Sequence, residues 1–401
     1  MQNPVLKQLI EGKYKTIIDW LEAKKNQMQF NTNIYNSCDI RFSGFKIANV
    51  DCNLFPAGFK NLSPQGIENC KVQLLEFAKK HNLKQGSNLA IVAESHTRNI
   101  PYLHGVYIVK QIFDACGFNA QLATFDLKKF KLNLNEATLE IGKVTKQDNV
   151  IFIDNDFKPE FLVINNDMTV QSPLVLDETN IKTFPKTELG WHKRRKFTHF
   201  QKYQELVDEF CAYFNIDSWF FSALFDECQE VDIREDSGLE CLGVKVQKII
   251  DATQLKYNQY GISDKPRVFV KANAGTYGMG VAMFEDADEI AHLNKKLRGK
   301  LDTVKAGTKS TSFLVQEAVP SCEFIDGANA ELVCYGFNST PCDFFYRYHP
   351  EKDANNSLNA PGARFINKSN FTKNPLELKS TPELATYYIT GSLAFISSGL
   401  E

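Results

Sequence analysis

Apolar residues return every three or four positions at the start of the chain, at Leu6, Leu9, Ile10, Ile17, Ile18 and Leu21, and predict an amphipathic helix. The pattern breaks in RFSGFKIANVDCNLFPAGFKNLS, where Gly, Pro and Asn interrupt short apolar runs, so strand and loop are expected there. Helical spacing resumes in IENCKVQLLEFAKKHN. The apolar run NLAIVAE follows, then the polar cluster Glu94–Asn99, then a further helical stretch, LHGVYIVKQIFDACGF. Strand, polar loop and helix in that order predict an open α/β sheet, with ligand-facing groups at the carboxyl ends of its strands. NVIFID and EFLVIN read as two more buried strands.

FPKTELGWHKRRKF then interrupts the pattern and is expected to cross between lobes. Helix is predicted from Phe200 to about Phe225 and again from Asp286 to Leu301. RVFVKA, GVAMF, FLVQEAV, ELVCYGF and CDFFYRY read as strands. The fold class is therefore mixed α/β (α+β). An N-terminal open-sheet domain over residues 1–190 is expected, then a strand-rich second domain over 191–401, with the boundary near 180–200.

Composition narrows the function classes. The chain has 401 residues, too many for one simple core, and 43% of them are apolar. A formal net charge of −2 gives no field that implies nucleic acid or a membrane surface, so neither is expected as a partner. The ten cysteines include no C-x-x-C pair, which argues against a structural zinc site, and they read as free thiols of a reduced, cytoplasmic protein. The N-terminal pattern is not that of a secretory signal, and no apolar run reaches the length of a membrane span.

The chemistry is concentrated in VFVKANAGTYGMGVAMF, Val268–Phe284. A P-loop would need Lys-Ser or Lys-Thr after its last glycine, but Gly280 is followed by Val-Ala-Met. A dinucleotide fingerprint would need G-x-G-x-x-G opening a helix. A hairpin remains, whose tip (Gly275, Thr276, Tyr277, Gly278, Met279, Gly280) can bring amide hydrogens to phosphate oxygens without an obstructing Cβ. Lys271 on the leading strand adds a point charge. Downstream, Gln316 and Glu317 end an apolar strand whose backbone suits an adenine edge, with Glu317 placed to accept from ribose. Arg347 stands on a later strand in position to meet a terminal phosphate, and Asn359 lies in a Pro-Gly loop. For amino-acid substrates the candidates are Arg41, Arg98, Arg194 and Arg195, which can fork onto carboxylates, and Asn165, Asn166 and Asp167, which can receive an ammonium group.

This order of lysine strand, glycine hairpin, glutamate-bearing strand, arginine strand and asparagine loop resembles the ATP-grasp fold, with similarity to bacterial glutathione synthetase. Seven blocks in order, GFKIANVDCNLFPAGFKNL, ESHTRN, LVINND, LGWHKRRKFTHF, VKANAGTYGMG, VQEAV and SLNAPGARF, resemble the proteobacterial glutamate–cysteine ligase family of ATP-grasp-like type. The resemblance implies ATP, Mg2+, L-glutamate and L-cysteine as ligands and a γ-glutamyl phosphate on the way to γ-glutamylcysteine. Lys271 and Arg347 would do the charge work, and Glu331, Asn359 and Glu317 would supply metal oxygens. Two departures stand out: Asn273 occupies a position where an acidic residue is expected, and the E-x-N metal signature is absent. A different acceptor amine, a silent ATP-binding regulatory protein and a small-molecule kinase are the other readings.

Overall fold

The computed structural model describes residues 3–28, 31–95, 99–134, 137–275, 279–302, 310–367 and 374–401. In chain order it begins with α1 (Pro4–Gln27), β1 (Tyr35–Phe42) and β2 (Ile47–Asn53). The open-sheet region follows: α2 (Pro64–His81), β3 (Asn88–Ala93), α3 (Ile100–Ala115), β4 (Asn119–Thr124), β5 (Phe130–Asn133), β6 (Thr138–Gln147), β7 (Val150–Ile153), β8 (Phe161–Asn165) and β9 (Lys182–Phe184). Next come α4 (Lys196–Phe214), β10 (Phe225–Cys228), α5 (Leu239–Tyr260), β11 (Val268–Ala272), β12 (Val281–Phe284), α6 (Asp288–Ala291), α7 (Lys295–Asp302) and β13 (Phe313–Glu317). The last elements are β14 (Glu323–Ile325), β15 (Ala328–Phe337), β16 (Thr340–His349), β17 (Arg364–Ile366) and α8 (Pro382–Ser398).

Three sheets result. The first runs β5-β6-β4-β3-β8-β9, with β7 added as a hairpin arm on β6. Its β3, β4, β6, β8 and β9 are parallel, as the near-continuous apolar runs of β3 and β8 require of strands covered on both faces. A six-stranded antiparallel sheet runs β17-β16-β15-β1-β2 with β14 on β15, and a four-stranded antiparallel sheet runs β10-β13-β11-β12. Strands from the first sixty residues thus share a sheet with strands from the last eighty, so sheet membership does not follow a division into 1–190 and 191–401.

Several expectations need adjustment. NVIFID is a half-buried hairpin arm rather than a buried member of the parallel sheet. Helix α4 stops at Phe214, where Asn215 takes the left-handed conformation and closes the helix. The single helix expected over Asp286–Leu301 is two short ones, α6 and α7. Helix α5 was not anticipated, although Leu239, Leu242, Val246, Ile249 and Tyr257 form its buried stripe. Every residue of α8 from Ala385 to Ser398 is buried. Its small residues allow that: a Cβ on Gly391 would lie 2.8 Å from Cys334 Sγ. No helix of the described residues is long and apolar enough to cross a membrane.

Candidate active site

The site is built on one face of the six-stranded sheet. Because side chains alternate along a strand, Asp39 and Arg41 share a face of β1. Asp51 stands opposite Asp39 on β2, and Glu331 stands opposite Arg347 across β15 and β16. Four neighbouring strands therefore contribute one row of charge. Arg347 Nη1 donates to Asp39 Oδ2 at 2.6 Å and to Glu331 Oε1 at 2.7 Å, and its Nη2 donates to Asp39 Oδ1 at 3.2 Å. Arg41 Nε donates to Glu331 Oε2 at 2.7 Å, while its Nη2 reaches the carbonyl of Asn356 at 2.6 Å. Burial raises the Asp39 carboxyl and Glu331 raises it further, against the pull of Arg347. At Glu331 burial also pushes upward, but Arg41 and Arg347 outweigh it and hold the group below its ordinary value.

The glycine hairpin faces this row. β11 and β12 pair antiparallel with Lys271 opposite Val281, and Ala272 N donates to Gly280 O at 2.7 Å. Gly275 and Gly280 have φ of 129° and 66°, values that a side chain would strain. Thr276, Tyr277 and Gly278 lie outside the described residues. Lys271 Nζ donates to Val50 O at 2.8 Å and to Gln316 Oε1 at 2.7 Å. Burial lowers its pKa to about 8 despite the nearby Asp51. Asp51 accepts from Lys196; burial raises its carboxyl, but Lys196 and Lys271 overcome that and hold it well below the carboxylate range.

Between row and hairpin lies a cavity of about 50 Å³ that brings Lys271, Arg41, Glu331, Asn359, Gly275 and Met279 together. Asp39, Asp51 and Lys196, absent from the sequence-based candidates, line it as well. Asp39 and Asp51 stand among other polar residues of β1 and β2 (Asn36, Ser37, Arg41, Asn49, Asn53), so nothing local singles them out. Lys196 was hidden in a basic run whose members look equivalent. Among the described residues two buried donors beside this site have no partner: Gln316 Nε2 and Arg347 Nε.

Other expectations place elsewhere. Glu317 does not line the cavity, and its carboxylate accepts from Lys46 Nζ (2.8 Å), Trp219 Nε1 (3.2 Å) and Leu224 N (2.9 Å). Arg194 is spent in a bidentate pair with Glu401, at 2.7 and 2.8 Å, and Arg195 bonds the carbonyls of Trp191 and Arg194. Neither arginine lines the cavity. Asn166 and Asp167 sit with Glu94 at the carboxyl ends of β3 and β8, where Glu94 accepts from Asp167 N at 2.9 Å and Thr169 Oγ donates to Asp167 at 2.8 Å. Asn165 is a buried anchor, accepting from Tyr102 and donating to Pro56 O. Arg98 lies outside the described residues. The Asn273 departure has a structural reason: its amide donates to Glu227, which an aspartate could not do, while its Oδ1 accepts from Phe197 N at 2.8 Å.

Among the described residues no group of three His, Cys, Asp or Glu is arranged to hold a metal. Mg2+ needs less than that, since one or two carboxylates plus substrate phosphate suffice. Asp39, Glu331 and Asn359 supply hard oxygens at one cavity, but Arg347 and Arg41 hold both carboxylates, so these fit a metal only where the arginines exchange onto a ligand.

A crystal structure from Methylobacillus flagellatus KT, described as "Putative gamma-glutamylcysteine synthetase", is 29% identical with a TM-score of 0.87 over 99% of this chain and 95% of that one. Two remote matches carry no argument. One is a D-alanyl-alanine synthetase A from Vibrio cholerae (15% identical, TM-score 0.33, 77% and 82% covered). The other is a glutathione synthetase like-effector from Globodera pallida (11%, 0.40, 90% and 83%). A search of curated proteins finds no significant match. The family model for glutamate–cysteine ligase matches residues 7–401, so the chain belongs to that family of ATP-dependent, ADP-forming carboxylate–amine ligases.

Proposed function

We propose that this protein joins L-glutamate to L-cysteine at the cavity between the charged row and the glycine hairpin, through a γ-glutamyl phosphate. The observation that carries the reading is convergence. Three cations (Arg41, Lys196, Lys271) meet three carboxylates (Asp39, Asp51, Glu331) around one cavity, and Arg347, bonded to Asp39 and Glu331 outside the lining, leaves the group one positive charge uncompensated. A carboxylate is a poor acyl donor because oxide does not leave. When the γ-carboxylate oxygen of glutamate attacks the outer phosphorus of ATP, ADP departs and the carboxyl gains phosphate as a leaving group. The cysteine amine then attacks the acyl carbon, phosphate leaves, and the nitrogen gives up a proton.

Lys271 and the hairpin amides hold the transferring phosphoryl group, and Gln316, bonded to Lys271 through its oxygen, offers its unpaired amide to the nucleotide. Arg41 and Arg347 stand ready to exchange part of their carboxylate contacts for phosphate or substrate carboxylate. With so depressed a pKa, Asp51 is an ion-pair partner for a substrate ammonium rather than a base. Mg2+ would supply further charge neutralisation of the phosphates, with Asn359 and whichever oxygens of Asp39 and Glu331 the arginines release as the residues that would hold it. The hairpin serves as a lid over the nucleotide, keeping solvent from the acyl phosphate.

The test is product identification. Purified protein given ATP, Mg2+, glutamate and cysteine should release ADP and phosphate in step with a dipeptide whose amide is on the γ-carbon. ADP release that proceeds with another amine and not with cysteine would overturn the acceptor; ATP binding without turnover would overturn the reaction.

A further inference from the structure

The ten cysteines are all free, and eight of them are buried. Their arrangement is not random. Cys38 faces Cys334 in register across β1 and β15, and Cys70 bonds Cys342; all four of these are fully buried, so solvent cannot reach either pair. The third pair differs. Cys228, at the end of β10, has its Sγ 2.9 Å from the Sγ of Cys241, on the first turn of α5, and Cys241 is exposed. Two unbonded sulfurs are not normally so close, and only a small further approach separates this contact from a covalent bond.

We infer that Cys228 and Cys241 form a dithiol site that exchanges with low-molecular-weight disulfides and closes into an internal disulfide. L-Cystine serves as the reactant class. The Cys241 thiolate attacks one sulfur of cystine; the protein–cysteine bond forms, the cystine bond breaks, and one cysteine leaves as thiolate. Cys228 Sγ then attacks Cys241 Sγ, the internal bond forms, and the second cysteine leaves. Two protein thiols are oxidised, one cystine is reduced, and the two thiol protons end on the two cysteines. Access fixes the order of events. Cys241 meets solvent and takes the first step. Burial pushes the Cys228 thiol up to about 12, its bond to Cys241 adding to that, so it reacts only as an intramolecular partner already in contact.

The bond would matter to the ligase because of what adjoins it. Glu227, the residue before Cys228, accepts from Asn273 at the base of the glycine hairpin. Closing the disulfide ties β10, and with it this hairpin support, to the start of α5. That consequence rests on the proposed function, whereas the exchange itself does not.

The experiment uses the intact folded protein, incubated with cystine and cysteine at graded ratios, trapped with acid and read by mass spectrometry. The expected result is a loss of two hydrogens, reversed by dithiothreitol, with one linked peptide joining Cys228 to Cys241. Cys322→Ser, which removes the other exposed thiol, should keep that loss, and Cys241→Ser should abolish it. No loss of hydrogens at any ratio, a mixed disulfide that persists on Cys241, or an unchanged loss in Cys241→Ser would each overturn the inference. ADP release by the oxidised protein, measured alongside, reports on the hairpin separately from the exchange.

Discussion

Two buried charge clusters sit in this molecule, and they are built from the same residue types. In one, Lys46 and Glu317 are each at most 1% exposed, and every strong contact of the Glu317 carboxylate is internal. In the other, Lys271, Asp51, Asp39, Glu331 and Arg41 surround a cavity, and two residues bonded to that lining, Gln316 and Arg347, keep a donor (Nε2 and Nε) with no partner among the described residues. Burial lowers the pKa of both lysines to about 8. Charge and burial are therefore shared; completeness is what separates them. A satisfied cluster fixes the end of β13 in place, and an incomplete one retains hydrogen-bonding capacity for a ligand.

Breaking the sealed cluster should cost the most stability. Glu317→Ala leaves Lys46 as an uncompensated buried cation, and urea unfolding should show a loss of about 3–5 kcal/mol. A loss under about 1 kcal/mol would mean the pair behaves as a surface ion pair. Lys271→Met should invert that pattern: ADP release falls by roughly 10²–10³ while the melting temperature holds or rises, because a buried cation has been removed. Unchanged turnover would separate the hairpin from the chemistry. Asn273→Asp, which installs the acid expected from the family resemblance, sets a carboxylate against Glu227. It should destabilise by about 1–3 kcal/mol, read by thermal unfolding. The smallest effect is a pH dependence. Lys271 in the free protein carries its charge below about pH 8 and loses it above. The kcat/KM for ATP should therefore fall as pH rises through 8, and this limb should be missing in whatever activity Lys271→Met retains.

The comparison also explains what the sequence could disclose. Periodicity identified β3, β8, β11, β12, β13, β15 and β16, and the glycine spacing between β11 and β12 identified a hairpin beside a lysine. Those features are local, set by alternation and by backbone freedom. What was not legible is pairing at a distance. Glu317 and Glu331 both lie in apolar strands of similar composition, yet one meets Lys46, 271 positions away, and the other meets Arg41, 290 positions away. Arg194 and Lys196 stand two residues apart in a single basic run, yet one is spent on Glu401 and the other on Asp51. The pairing of β1 with β15 brings Asp39 and Arg41 into one sheet with Glu331 and Arg347, and no linear motif signals that. Helix α5 was missed although its buried stripe is regular and it is no more polar than α1 or α2, which were read.

Asn273 bears on how such a site holds its charge. Its backbone carbonyl accepts from Lys196 N and its side chain from Phe197 N, so it rivets the foot of the glycine hairpin to the start of α4. Lys196 belongs to that same helix start, and Lys271 lies two residues before the rivet. Two ammonium groups from distant parts of the chain are thereby pinned to one frame, and the positive field they make is set by strand and helix backbone rather than by the hairpin's tip.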